Sequence, residues 1–336
     1  MSAIRVSGSG YKIVIRPKND RCELAFTEEE NRMNRIAVQT GGPDQRFGLK
    51  EAYRKIREWG FDAVDANIDH LLSYGDICEG RIPDVLVNGG KDCMALFTPW
   101  AEGARAAGVE NYQAHAPFPS LVAPLENEIN TRMIEVLKNM IRGCDAMDCR
   151  RLIIHPFFLG YDQQLSPEKE REINLDCYAR LIPAAKEYGV TICLENMFTR
   201  HSGKIYAACC SDIAEACRYV DELNAAAGQP VFGFCLDTGH MLLCGLDPFK
   251  TVTRLGRRIS AFHIHDNDGC DDQHLAPYMG VLDWNRFCEG VKAIGYTGTL
   301  SFETFNVWNR VDPGVCEEMM RFIAACGRMF ASKISA

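Results

Sequence analysis

The feature that most constrains this chain is a strict alternation of strand-like and helix-like patterns from about residue 35 to the end. Short apolar runs at residues 35–39, 62–66, 112–115, 152–155, 190–195, 231–237, 259–263 and 297–303 predict strands. Amphipathic stretches follow at 49–59, 94–107, 126–145, 167–188, 211–226, in short pieces reaching 255, then at 284–294 and 313–329. An irregular loop is expected over about 71–90. Runs such as Leu152-Ile153-Ile154 and Phe234-Cys235-Leu236 are apolar at every position, as in a parallel strand covered on both faces. Eight such units predict an α/β chain folded as a (β/α)8 barrel. An open doubly wound sheet would carry a Gly-rich phosphate turn after its first strand, and Thr40-Gly41-Gly42-Pro43 does not match one.

Residues 1–34 stand outside the alternation. Segments 5–7, 12–16 and 23–26 read as strands broken by Gly8, Gly10 and Pro17-Lys18-Asn19-Asp20, so an N-terminal β-hairpin extension precedes a barrel over 35–336. The extension could plug the barrel or dock a partner. A formal charge of −8 disfavours nucleic acid and anionic membranes as partners. The opening residues lack a signal-peptide pattern, and no run reaches the ~18 apolar residues of a membrane span, so the expected location is cytoplasmic. The 16 cysteines include no CxxC pair and read as reduced, buried thiols.

In such a barrel the C-terminal strand ends carry the chemistry. Here they deliver His115, His155, Glu195, Asp237, His263 and Glu303 from six consecutive strands. His240 follows Asp237 by three residues, and Asp272 and His274 lie in the loop after the seventh strand. Converging carboxylates repel one another unless a cation sits between them, so the constellation predicts a metal site. Carboxylates with imidazole and no thiolate suit Mn2+, Mg2+, Co2+ or Zn2+.

The motifs Leu194-Glu195-Asn196, Leu236-Asp237-Thr238-Gly239-His240, His263-Ile264-His265-Asp266 and Phe302-Glu303 resemble the sugar phosphate isomerase/epimerase group of the xylose isomerase-like TIM barrels, over about residues 35–330. The resemblance implies one divalent ion, Mn2+ first among the candidates, held by Glu195, Asp237, His263 and Glu303. It makes Glu195 and Glu303 the proton-moving groups, with His155 as a further catalytic residue. Substrate contacts are expected from His115, His240, Asp272, His274, Arg200 and Trp308. The ion would polarise a sugar carbonyl while a glutamate takes the α-proton, giving an enediolate and then isomerisation or epimerisation. Phe118, Phe157, Phe158, Met197 and Phe305 follow strand ends and could shape the pocket, and Asp65 could bind a hydroxyl or cap a loop.

Two other outcomes fit the same residues. Some members of the superfamily cleave 3-keto C-glycosides with a small β-rich partner subunit, so a homo-oligomer or such a hetero-oligomer is expected. Endonuclease IV, a relative, holds three zinc ions, and His115, His155, Glu195, Asp237, His240, His263, Asp272, His274 and Glu303 fit that pattern too. Against a DNA substrate, the loop after the seventh strand is acidic (Asp266, Asp268, Asp271, Asp272), and only Arg200, His201 and Lys204 offer positive character near the mouth.

Overall fold

The structure is a computed structural model; it describes the backbone of residues 15–18 and 21–24, and residues 33–160, 163 and 165–336. β1 (Ile15–Lys18) and β2 (Arg21–Leu24) form an antiparallel pair. The strand expected at 5–7 lies outside the described residues.

The barrel strands are β3 (Ile36–Gln39), β4 (Ala63–Ala66), β5 (Glu110–His115), β6 (Arg151–Ile153) and β7 (Thr191–Glu195). After a small hairpin, β8 (Phe198–His201) and β9 (Lys204–Ala207), come β10 (Phe232–Asp237), β11 (Ile259–His263) and β12 (Leu300–Phe302). The eight-stranded sheet runs β11-β10-β7-β6-β5-β4-β3-β12, with every pair parallel. A parallel bridge between Ile264 and Phe302 joins its two edges and closes the barrel. Both faces are covered, which is why these strands carry apolar residues on both sides.

Helices cross between successive strands, several with caps legible in the sequence. Asp212 accepts the N–H groups of Ala214 and Glu215 to start Ile213–Ala227, and Asp283 does the same for Asn285 and Arg286 at Trp284–Ala293. Three expectations need correction. The 71–90 loop is instead a chain of short helices: a 3-10 turn at Ile68–Leu71, then Tyr74–Cys78, Asp84–Asn88 and Gly90–Ala95. Ser73 caps the second, and buried Ile77, Ile82 and Leu86 pin the run to the core. The single helix expected at 167–188 breaks into Pro167–Ala179 and Ile182–Tyr188, because Pro183 has no N–H to continue the ladder. The last helix starts later than expected and runs to the end, as Cys316–Ser335.

Alternation along the strands builds the barrel interior. Ile153, Cys193, Cys235 and Ala261 form a buried cluster of their own. Each lies two residues before His155, Glu195, Asp237 or His263, so the next residue on the same face sits one layer higher, at the mouth. The described cysteines are free thiols, and burial pushes Cys193 up to about 12, so this layer is an apolar floor.

Candidate metal centre

Four side chains from four consecutive strands converge above that floor. One ligand atom each from Glu195, Asp237, His263 and Glu303 lies within 4.8 Å of the others. His263 Nδ1 faces the carboxyls: 3.0 Å to Glu195 Oε1, 3.5 Å to Glu303 Oε2 and 4.0 Å to Asp237 Oδ2. Asp237 also starts the helix Thr238–Leu243, its Oδ1 accepting the His240 N–H at 2.6 Å. Asn196, the residue after β7, braces it, donating to the Asp237 carbonyl and accepting the Asp237 N–H, both at 2.9 Å.

Two further groups flank this centre. His115 and His155 bring their Nε2 atoms to 3.1 Å of each other, and both approach Glu195 Oε2, at 3.8 and 3.3 Å. On the other side, Asp272 Oδ2 lies 2.9 Å from His274 Nε2 and 3.5 Å from His240 Nε2. His240 Nδ1 donates to the Asn196 carbonyl at 2.8 Å, which fixes its ring.

Charge is divided unevenly between the two glutamates. Burial alone would raise Glu195, but His263 and His155 outweigh it and hold the carboxyl well below the usual range. At Glu303 burial dominates, with repulsion from Asp237 and Glu195, and pushes it up to about 8 against the pull of His263. Environments that separate two carboxyl pKa values are what an acid/base pair requires. Burial and the neighbouring His155 push His115 down to about 3, leaving a neutral imidazole. Asp272 is held well below the carboxylate range by His240 and His274, which outweigh its burial.

The mouth has two lobes. A cavity of about 300 Å³ is lined by Gln39, Asn67, Asp69, His115, Glu303, Phe305 and Trp308. A second, of about 440 Å³, is more apolar, with Tyr74, Leu121, Val122, Phe158 and Met197 beside His155. Phe118 belongs to both. Phe157, in contrast, is buried in the core against Tyr178.

Nine of the expected residues therefore meet at one place, with Trp308 on the rim, packed against Phe47 and Trp59. Arg200 is not brought in. Its guanidinium sits on Asp271 and the Cys270 carbonyl, tying the β8–β9 hairpin to the loop after β11, and it lines neither cavity. The acidic loop also differs from expectation. Asp266 is fully buried and accepts from the N–H groups of Tyr278, Leu282 and the Trp284 indole, so it builds the loop. Asp268 folds onto Cys270 and Asp271, and Asp272 alone of the four faces the centre.

Sequence reasoning assigned no role to His265. It is fully buried, with Nε2 at 3.0–3.1 Å from both Asp237 oxygens and its ring stacked on His274. Its ring fits only because residue 239 is glycine: a Cβ there would lie 1.9 Å from His265 Cε1. The signal was the i+2 spacing from His263, which keeps both on the inward face.

The fold and this site together define a (β/α)8 barrel with a buried His/Asp/Glu group able to take a metal ion. The profile described as "Xylose isomerase-like TIM barrel" matches residues 53–326, and the chain belongs to that family. It is 29% identical over 204 residues to the uncharacterized protein MJ1311 of Methanocaldococcus jannaschii, covering 59% of this chain and 65% of that one. It is 23% identical over 182 residues to the inosose isomerase of Bacillus subtilis, covering 52% of this chain and 61% of that one. The chain thus spans a little under two thirds of each of these two relatives. Among solved structures, the 3-keto-D-glucoside 4-epimerase YcjR of E. coli superposes with a TM-score of 0.64 at 17% identity, covering 88% of this chain and 99% of that one. Among the described residues, no helix is long and apolar enough to cross a membrane.

Proposed function

We propose that the chain is a divalent-metal-dependent sugar isomerase or epimerase. The observation that carries this is the gathering of Glu195, Asp237, His263 and Glu303. The residues fit an ion: three carboxyls meet in a buried place, and among the described residues their ion-pair partners are imidazoles alone. Glu195 Oε2 is buried with no hydrogen-bond partner. When bound, Mn2+ or a similar hard ion supplies Lewis-acid polarisation of a substrate carbonyl. Glu303 lines the smaller cavity, where it would reach a substrate carbon bearing the acidified proton. Glu195 works from behind, with His155 3.3 Å from its free oxygen to take up or return a proton. Return of the proton to the opposite face epimerises the carbon; return to the neighbouring carbon exchanges aldose and ketose. His115, His240, Asp272 and His274 surround the same volume and would meet hydroxyl groups.

A second reading is favoured by the apolar lobe beside His155. A sugar carrying an apolar substituent would fit the two lobes together, and proton removal next to a keto group would expel a substituent β to it. That is the keto-glycoside lyase, and YcjR, whose name marks a keto-glucoside as its substrate, has the same fold. A small partner subunit belongs to this reading and would co-purify with the barrel. The flanking groups at His115/His155 and His240/Asp272/His274 also suit a three-zinc phosphodiesterase, which would hold three ions per chain.

Metal analysis combined with solvent-deuterium exchange on a panel of keto-sugars and 3-keto-glycosides tests this. One ion per chain and deuterium entering the α-carbon are expected, with Glu195→Gln and Glu303→Gln each slowing exchange by ~10²–10⁴-fold. Released aglycone identifies the lyase, and three zinc ions the phosphodiesterase. Unchanged exchange in both variants would overturn the glutamate roles.

A further inference from the structure

Asp65 sits on β4, across the barrel interior from His263 on β11, and is 2% exposed. The sequence suggests a hydroxyl contact or a loop cap for it. The structure gives it a different neighbour. Its Oδ2 lies 3.2 Å from His263 Nε2, on the opposite side of the imidazole from the carboxyls that Nδ1 faces. Gln113 on β5 sets Asp65 in place, donating from Nε2 to the same Oδ2 at 2.7 Å and to the Phe262 carbonyl at 3.1 Å. That second bond anchors the amide to the residue just before His263. The His115 ring lies nearly parallel to His263, 21° between planes with centroids 5.5 Å apart, and restrains its rotation.

An imidazole binds a metal through a nitrogen lone pair, so its other nitrogen must carry the proton, and a group that accepts this proton selects the tautomer. We propose that Asp65, held by Gln113, is a positioning residue that keeps the His263 proton on Nε2 and so presents the Nδ1 lone pair to the metal position. His263 Nε2 is buried without a hydrogen-bond partner in the structure, and Asp65 Oδ2, 3.2 Å away, is the carboxylate oxygen within reach of its proton; Asp65 Oδ1 and Gln113 Oε1 likewise have no partner to pull the pair elsewhere. This rests on the divalent centre proposed above.

The test is Co2+ and Mn2+ binding by calorimetry, with the visible d–d absorption of the Co2+ form, on wild type, Asp65→Asn, Asp65→Ala and Gln113→Leu. Far-UV circular dichroism on each confirms the fold. Asp65→Ala is expected to weaken binding by ~10–100-fold and to change the Co2+ bands, since loss of such an outer partner frees the ligand. Asp65→Asn, which keeps an acceptor oxygen, should fall between it and wild type, and Gln113→Leu should shift binding in the same direction by less. Folded Asp65 variants with wild-type affinity and an unaltered Co2+ spectrum overturn the role of Asp65. Wild type that binds neither ion overturns the centre itself, which separates the two failures.

Discussion

At the scale of single residues, position along a strand was the strongest signal. Glu195, Asp237 and His263 were legible because each ends an apolar strand and lies two residues beyond a small or apolar one on the same face. Asp65 obeys the same rule, yet its partner was not legible, because facing the lumen does not say which strand across the lumen a side chain reaches. Asp69 carries a prediction of its own. It borders the smaller cavity, its Oδ1 is buried without a partner, and burial pushes its carboxyl up to about 6 from an ordinary 3.8. A folded-state value above the unfolded one means that the folded chain holds the proton more tightly. The contribution is fully present below pH ~3.8 and is lost as pH rises through ~6, so at neutral pH the buried charge lowers stability. Asp69→Asn removes that loss. Its melting temperature is expected to exceed wild type at pH 7.5, by a margin worth up to about 3 kcal/mol, and the gap should close towards pH 4. Parallel melting curves across that range, with no pH-dependent difference, would count against it.

At the scale of elements, the strands were legible and the short helices were not, for one physical reason. A strand covered on both faces needs an unbroken apolar run, which is visible in five residues, whereas an amphipathic helix needs several turns before its period stands out. The helices between Ile68 and Ala95 are four to six residues each, too short for that period, and look like loop. The β8–β9 hairpin escaped notice because its residues are half-exposed to exposed on both faces, which leaves no alternation. The last helix packs on the barrel wall through a detail that composition hides. A Cβ on Gly327 would lie 2.8 Å from Phe302 Cε2 and 2.9 Å from Ile36 Cγ2, so the glycine lets the helix sit directly on β12 and β3. Gly327→Ala gains helix propensity of up to ~1 kcal/mol, but overpacking against a fully buried ring costs ~1–3 kcal/mol. A lowered melting temperature is therefore expected. Gly75→Ala is the control: it has open space around its Cβ, and it should leave stability unchanged or slightly raised. Equal melting temperatures for Gly327→Ala and wild type would show that the ring yields.

At the scale of the whole molecule, part of the −8 charge lies in the loop after the seventh strand, which the sequence placed at the mouth, and the structure moves most of that acidity elsewhere. Asp266 and Asp268 fold their own loop and Asp271 holds Arg200, so the loop's charge is largely spent on architecture. The electrostatic tension sits deeper, where Glu195, Asp237 and Glu303 meet on strand ends spread across the second half of the chain. Because these residues come from β7, β10, β11 and the end of β12, an ion between them would tie half the barrel together and relieve the repulsion that adds to burial in raising Glu303. Binding to the folded chain alone would then stabilise the whole barrel, by ~2.7 kcal/mol at a free ion concentration one hundred times Kd. Chelator treatment is expected to lower the melting temperature in one cooperative step, and Mn2+ to restore it in proportion to the logarithm of its concentration. Glu195→Gln and Asp237→Asn should lose that metal-dependent increment while keeping a folded barrel in chelator. A wild-type melting temperature indifferent to both chelator and added divalent ion would sever the link between the gathered carboxyls and any cation.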